Sequence, residues 1–422
     1  MSSDFVAIRD RLVERGNGAN YRPFMLVGGG LAVVGLALFV MALGGDGSHR
    51  AWQAFHVNWL FWTGLTGGSI AITAVHKIAN AHWSGVILRL SQAAAGFIPV
   101  SLIGAVLVLT LGYPDIYGQM TAELHNLSAG KALWLSRPWM ALRLVGGLAL
   151  LYWIGIRLIR SDMLPDLALA QGKVTGARKA RYEGMLRGYD EETNHRRIYR
   201  LAPMYVASYA LVFTFVAFDG IMALQPHWFS NLLGGWYFMG SFLGGHMLLA
   251  LMMLYSRSAV GLDEFISPKQ RHDLGKLCFG FTVFWTYLMW AQFLVIWYGN
   301  LPEETGFVFA RLWGPWRPVG MAVFLGVFLV PFFGLLGVAP KKLPITLGFF
   351  ATISLCSLWL ERYLMVMPSI TEAPGPLVGL PEVGPILLFL GLFLVCYAGF
   401  ARLYPMVSPR LAVIALEKEA GH

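Results

Sequence analysis

The chain has 422 residues, of which 57% are hydrophobic and only 13% charged, with a formal net charge of +9. Soluble domains carry about 25% charged residues, so this composition excludes a string of ordinary water-soluble domains. The length is better counted in apolar spans of about 20 residues, each bonding its backbone amides internally, and the expected fold class is an all-α integral membrane protein.

In chain order, residues 1–23 are charged and lack a short apolar core followed by a small-residue cleavage site, so they read as a cytoplasmic segment, not a signal peptide. Phe5, Ile8 and Leu12 share one face of a short interfacial helix there. Ten spans follow, at roughly 24–43, 57–76, 86–111, 134–156, 201–223, 236–256, 276–297, 318–339, 344–366 and 384–404. Residues 24–56 hold the first span and an outer loop. A first four-helix bundle covers 57–223 and includes a basic, polar cytoplasmic loop at 157–200, either a docking or lipid-contact region or a plain connector. A second four-helix bundle covers 224–366, and 367–422 hold the last span and a cytoplasmic tail.

Positive charge sets the orientation. With the N-terminus cytoplasmic, 25 of the 32 Lys and Arg residues fall on the cytoplasmic side, five on the outer side, and Arg143 and Arg362 inside spans. This bias follows the positive-inside rule and places both termini in the cytoplasm of a multi-pass protein. The basic rim faces anionic lipid, and the net charge needs no nucleic-acid partner.

Spans 2 and 6 open on one pattern. Trp59, Phe61, Gly64, Gly67 and Gly68 recur as Trp236, Phe238, Ser241, Gly244 and Gly245, each offset by 177 residues. Both spans run from outside to inside, so spans 2–5 and 6–9 are expected to be parallel repeats, with spans 1 and 10 flanking them. The small residues suit close helix approach. Gly28, Gly29 and Gly30 make no nucleotide loop, because position 33 is Val and no strand precedes them.

Cys278, Cys356 and Cys396 are far apart and form no metal, iron–sulfur or covalent-haem motif. A b-type haem would need two facing deep ligands, and of the ten histidines only His246 is deep. No metal, haem or cluster is therefore expected on this chain.

The chemistry is expected in ionisable groups inside the spans, where each is expensive. Asp219 lies near the outer end of span 5, Glu361 and Arg362 in the outer third of span 9, and Arg143 about 15 Å into span 4. His246 is near the middle of span 6, His56 at the outer mouth of span 2, and His76 with Lys77 at its inner end. Each also has a packing role open to it: Asp219 as a helix cap, Arg362 as a partner of Glu361 or Asp219, Arg143 as a snorkelling side chain or a partner of Asp219, and His246 as a core histidine. Together they form a polar trail of the kind proton transfer uses, with Asp219, Glu361, His246, Arg362 and His76 as its candidates. Ser208, Tyr209, Thr214, Thr282, Tyr287 and Thr352 are candidate relays, although such hydroxyls commonly bond their own helix.

Three segments carry a resemblance: Ala54 to Gly64 (AFHVNWLFWTG), Asp219 to Ser230 (DGIMALQPHWFS) and Trp359 to Tyr363 (WLERY). They look like signatures of the NrfD-like, polysulfide-reductase membrane-anchor family. Within it the chain is most similar to the shorter of the two quinol-oxidoreductase membrane subunits of bacterial alternative complex III, and it departs from the longer one at Gly220, where an aromatic is expected. The resemblance implies a metal-free subunit of the bacterial inner membrane in a respiratory complex that oxidises menaquinol or ubiquinol and passes electrons to a cytochrome c or terminal oxidase. It implies as partners an iron–sulfur subunit, multihaem and monohaem cytochrome c subunits, a paralogous NrfD-like subunit, small membrane subunits and a terminal oxidase. A quinol pocket would then lie near His56, Trp59, Arg143 and Asp219, where an acid–base group is within reach of the ring hydroxyls. The alternatives are a secondary transporter of a small solute or ion, which would show broken helices around mid-membrane polar groups, and a purely structural anchor.

Overall fold

The computed structural model describes residues 10–15, 18, 20–45, 47–81, 83–84, 87–259, 261, 266–371, 375–376 and 378–410, and every described regular element is a helix. In chain order the principal helices are α1 (Arg22–Leu43), α2 (Ser48–Ile78), α3 (Leu88–Leu109), α4 (Tyr113–Glu123), α5 (Arg137–Lys173), α6 (Gly176–Leu186) and α7 (Glu191–Gly220). They continue as α8 (Leu233–Ala259), α9 (Pro268–Gly299), α10 (Pro302–Leu312), α11 (Gly314–Leu336), α12 (Pro344–Ile370) and α13 (Leu380–Leu403). Phe5 and Ile8 of the expected interfacial helix, and the tail beyond Arg410, lie outside the described residues; Leu12 is fully buried.

Local chemistry starts and stops the helices. Asp190 caps α7 by accepting the Thr193 amide at 2.8 Å, and Ser267 with Gln270 forms a capping box before Pro268 at the start of α9. Asn300 ends α9 in the left-handed conformation its short amide tolerates.

Among the described residues nine helices are long and apolar enough to cross a membrane: α1, α3, α5, α7, α8, α9, α11, α12 and α13. They make the chain a multi-pass membrane protein by length and composition. The tenth expected span, 57–76, falls in α2, which is 31 residues long but rich in His, Asn, Ser, Thr and Gly. Its 24 buried residues explain the difference. α2 meets α3, α7, α8, α12 and α13, so neighbouring helices, not hydrocarbon, solvate its polar side chains. The expected loop at 157–200 is also mostly helix, because α5 runs on to Lys173 and α6 and α7 follow after short breaks. Backbone bonding does not end where apolar composition ends.

Close packing falls where small residues recur. A Cβ on Gly68 would overlap the Ser241 carbonyl, one on Gly64 would lie 2.5 Å from Ser241 Oγ, and one on Gly245 would lie 2.9 Å from Gly68. The contacts advance together along both helices, so α2 and α8 lie parallel, with the two copies of the repeated pattern in register. α1 packs on α13 in the opposite sense, Gly28 against Gly391 and Gly35 against Gly384. Both described chain ends gather at one end of the bundle: Arg15 bonds the Gly261 carbonyl, Lys173 approaches Asp10 and Glu14, and the Arg410 amide reaches Asp166. At the far end Arg50 makes a paired contact with Glu382 at 2.9 and 2.8 Å, and Trp228 stacks on Phe307 at 3.7 Å between ring centres.

Candidate functional site

Helix α2 carries a stripe that its spacing alone defines. His56, Trp59, Thr63, Thr66, Ser69, Thr73 and His76 follow one another in steps of three or four residues, which keeps them on one side of the helix. Six are fully buried and His76 is 5% exposed. Trp59 donates to the Ser101 carbonyl at 2.9 Å, and Thr63, Ser101 and Tyr152 form a hydroxyl chain with links of 2.7 and 2.8 Å. Deeper along the helix, the hydroxyls of Thr66, Ser69 and Thr73 have no hydrogen-bond partner among the described residues. A buried hydroxyl without a protein partner has an unused hydrogen bond of the kind bound water satisfies where there is room for it.

The histidines share one arrangement. His56 Nε2 lies 2.7 Å from the Gly220 carbonyl, His76 Nδ1 2.8 Å from the Ile72 carbonyl, and His246 Nδ1 3.0 Å from the Phe242 carbonyl. A carbonyl can only accept, so the bonded nitrogen carries the proton in each ring. The other nitrogen is then a lone-pair acceptor, and at His56 (Nδ1) and His76 (Nε2) it is buried without a partner. Gly220 leaves room for His56 and Leu60: a Cβ there would lie 2.9 Å from Leu60 and 3.7 Å from the imidazole.

At the far end Arg143 and Asp219 face each other as fork and carboxylate, Nε to Oδ2 at 2.8 Å and Nη2 to Oδ1 at 2.7 Å. A π turn at Leu142–Gly146 holds Arg143 at this point of α5. The guanidinium also donates to the Trp134 carbonyl and lies 3.8 Å above its ring. Tyr117 donates to the Asp219 carbonyl at 3.1 Å. The four residues expected to surround a quinol, His56, Trp59, Arg143 and Asp219, are thus gathered, but their polar atoms are largely committed to protein partners. Only His56 Nδ1 and Arg143 Nη1 are left over.

Glu361 and Arg362 pair with each other, not with Asp219, at 3.0 Å. Trp285 donates to the Glu361 carboxylate at 3.3 Å, and Arg362 donates to the Tyr237 carbonyl at 3.1 Å while lying over its ring. Of the relay candidates, Thr214 and Thr352 bond their own helix carbonyls, Tyr209 donates to Phe238, and Tyr287 is 60% exposed. Thr282 is buried without a partner, and Ser208 is only partly buried. Among the described residues the buried, unpartnered hydroxyls are thus Thr282 on α9, Ser354 on α12 and Tyr182 on α6, besides Thr66, Ser69 and Thr73, which follow one another on α2.

A further cluster escaped the sequence reading. At the termini end Lys77 meets Asp162 at 2.5 Å, Arg89 meets Asp166 at 2.6 Å, and Gln92 bridges Arg89 to Asp162 with links of 2.5 and 2.7 Å. Arg89, Asp162 and Asp166 are at most 1% exposed. Asp162 and Asp166 fall in the expected loop at 157–200. Their spacing of four, amid Met163, Leu164 and Leu167, was the available sign that one buried helix face carries both.

The three motif segments converge, because His56 reaches the Gly220 carbonyl and Trp359 donates to Asn58 Oδ1 at 3.0 Å. Beyond them, exposed Glu123 accepts from Asn126 at 3.0 Å and lies 3.6 Å from His227, and these partners hold its carboxyl below the usual range. Among the described residues no group of three or more His, Cys, Asp or Glu side chains is placed to hold a metal ion. No protein-family model matches the chain, and no curated protein matches it.

Proposed function

We propose that this chain is an integral membrane subunit of a respiratory quinol oxidoreductase, and that its own contribution is a path for protons along α2. The observation that carries the reading is the buried stripe from His56 to His76. It begins beside the Arg143–Asp219 pair and ends beside the Lys77–Asp162–Arg89–Asp166 cluster. Packing alone accounts for small residues on this side of α2, including Ser and Thr, but not for an imidazole at each end of the stripe and three hydroxyls without partners between them. Each buried polar atom left without a partner, the Thr66, Ser69 and Thr73 hydroxyls and one nitrogen of His56 and of His76, has a cost that a hydrogen bond to water would offset. His246, in α8, which packs against α2, supplies a third buried imidazole.

In this reading α2, α3, α5 and α7 form one bundle and α8, α9, α11 and α12 a second, related by an axis parallel to the helices, with α1 and α13 flanking. The in-register contact of Gly68 with Gly245 supports it, as do the π turns in both α5 and α11. The charge bias supports cytoplasmic termini, so Asp219 is an outer carboxylate and Asp162 an inner one. The resemblance to NrfD-like subunits supports a bacterial inner-membrane complex containing iron–sulfur, cytochrome c and paralogous membrane subunits. A transporter built around unwound helices is not favoured, since the interruptions of the described spans are single π or 3₁₀ turns.

The test is Thr73→Val, which keeps shape and removes one hydroxyl from the stripe. In the complex reconstituted into vesicles, electron transfer is expected to persist while proton movement per electron falls several-fold. Unchanged coupling in Thr73→Val and in Thr66→Val would reject the path.

A further inference from the structure

The cluster at His56, Trp59, Arg143 and Asp219 is closed on itself, but the opposite half of the molecule holds an open cavity. It has a volume of about 340 Å³ and lies between α8, α9, α10, α11 and α12. Most of its lining is apolar or aromatic, with Phe293, Phe307 and Phe324 among the walls. Trp290, Leu312 and Met321 on its rim are 53%, 38% and 48% exposed, so the mouth is on the outward apolar surface of the bundle.

Four lining residues are polar, and three of them have an unused polar atom. Trp236 (7% exposed) has an unpartnered indole N–H, Gln292 (8%) an unpartnered amide oxygen, and Arg311 (3%) an unpartnered Nε–H. Arg311 is fixed by donating to the carbonyls of Phe307 and Met365 and to Ser369, at 2.9, 2.6 and 2.5 Å. The fourth is the Glu361 carboxylate, held by Trp285 and Arg362. These polar atoms lie just behind the apolar and aromatic walls, so a flat ring with oxygen on its edge would engage them by a small turn of the Trp236, Gln292 or Arg311 side chain.

We propose that this cavity, and not the first-bundle cluster, binds the ring of a membrane quinone or quinol. The inference rests on the quinol-oxidoreductase reading above. A carbonyl oxygen of the quinone accepts from Trp236 or Arg311. A hydroxyl of the quinol donates to Gln292 or to Glu361, which also places a carboxylate where a ring proton can leave. The volume is at the low end of ligand pockets, room for one substituted ring and not for a two-chain lipid, while the mouth lets a hydrocarbon tail run out into the bilayer.

The experiment uses the full chain in lipid nanodiscs with a short-tailed photoreactive azidoquinone as probe, and unlabelled short-tailed quinone as competitor. Labelling is expected on peptides of α9 and α11 around 289–296 and 320–324, displaced by the competitor. Gln292→Leu and Trp236→Phe are each expected to weaken competition about five- to ten-fold, the loss of one buried hydrogen bond. Label confined to α2, α5 or α7, label not displaced by quinone, or affinity unchanged in both variants would each overturn the assignment. So would displacement of the label by phosphatidylglycerol as effectively as by quinone, which would make this a lipid site reading the charge of Arg311. Proton coupling in Thr73→Val is measured separately, so the α2 path can fail with this site intact, or the reverse.

Discussion

Removing the charge of Asp219 separates a structural ion pair from a functional one. Both side chains are almost fully withdrawn from solvent, with Arg143 9% exposed and Asp219 fully buried, and two aligned bonds join them. Asp219→Asn keeps one acceptor but turns an N–H₂ group toward a guanidinium that can only donate. What then remains for Arg143 is one bond to the amide oxygen, with the Trp134 carbonyl and ring. Breaking a buried pair from one side costs about 3–5 kcal/mol, whereas replacing both partners with apolar groups of similar volume is close to neutral. With one acceptor retained, Asp219→Asn should lose about 3 kcal/mol, roughly a hundred-fold in the folding equilibrium. Arg143→Met combined with Asp219→Leu should return to within about 1 kcal/mol of the parent. Equilibrium unfolding of the full chain in mixed micelles measures the stabilities, and proton release per electron in the reconstituted complex measures the function. A double variant less stable than either single one would refute the energetic argument. A double variant that is stable and releases protons normally would show that Asp219 is scaffold only.

Three other outcomes follow from named contacts. Gly68→Leu should abolish correct folding, because any Cβ there strikes the Ser241 backbone, while Gly29→Ala and Gly30→Ala, with open space at both positions, should be neutral or stabilising by up to about 1 kcal/mol; heat-stability scans of the three variants distinguish them. His246→Phe fills the space between Phe242 and Phe281 with another ring and should leave assembly intact while reducing proton movement per electron; coupling equal to the parent would assign His246 to packing. Lys77→Met leaves Asp162 with Arg89, Gln92 and Arg410 and should cost about 1–3 kcal/mol, measured by the same unfolding assay, and a larger loss than in the Asp219→Asn variant would contradict the shared coordination of Asp162.

Much of the site was legible one residue at a time. Asp219, Arg143, Glu361, Arg362, His56, His76 and His246 stand out because an ionisable group in an apolar run needs a reason to be there. The α2 hydroxyls were harder to see. Thr and Ser in a helix commonly bond the carbonyl four residues back, as Thr214 and Thr352 do, and nothing local separates those from Thr66 and Thr73. Asp162 and Asp166 were missed for the opposite reason: they lie past the end of the apolar run, where charge is ordinarily solvated, but α5 continues and buries them.

Composition, period and charge asymmetry by themselves determined that the chain is helical and carries spans apolar enough to cross a membrane, and that Gly64, Gly67 and Gly68 have counterparts 177 residues later, the first of them as Ser241. These properties are local or additive along the chain, so they can be read without knowing what touches what. Partnership was decided only in three dimensions: Arg143 with Asp219, Arg362 with Glu361, α2 at the centre, and a cavity walled by five helices. Each depends on how a helix is rotated about its axis and which neighbour it meets. That is set by small-residue contacts such as Gly68 on Ser241, between residues far apart in the chain.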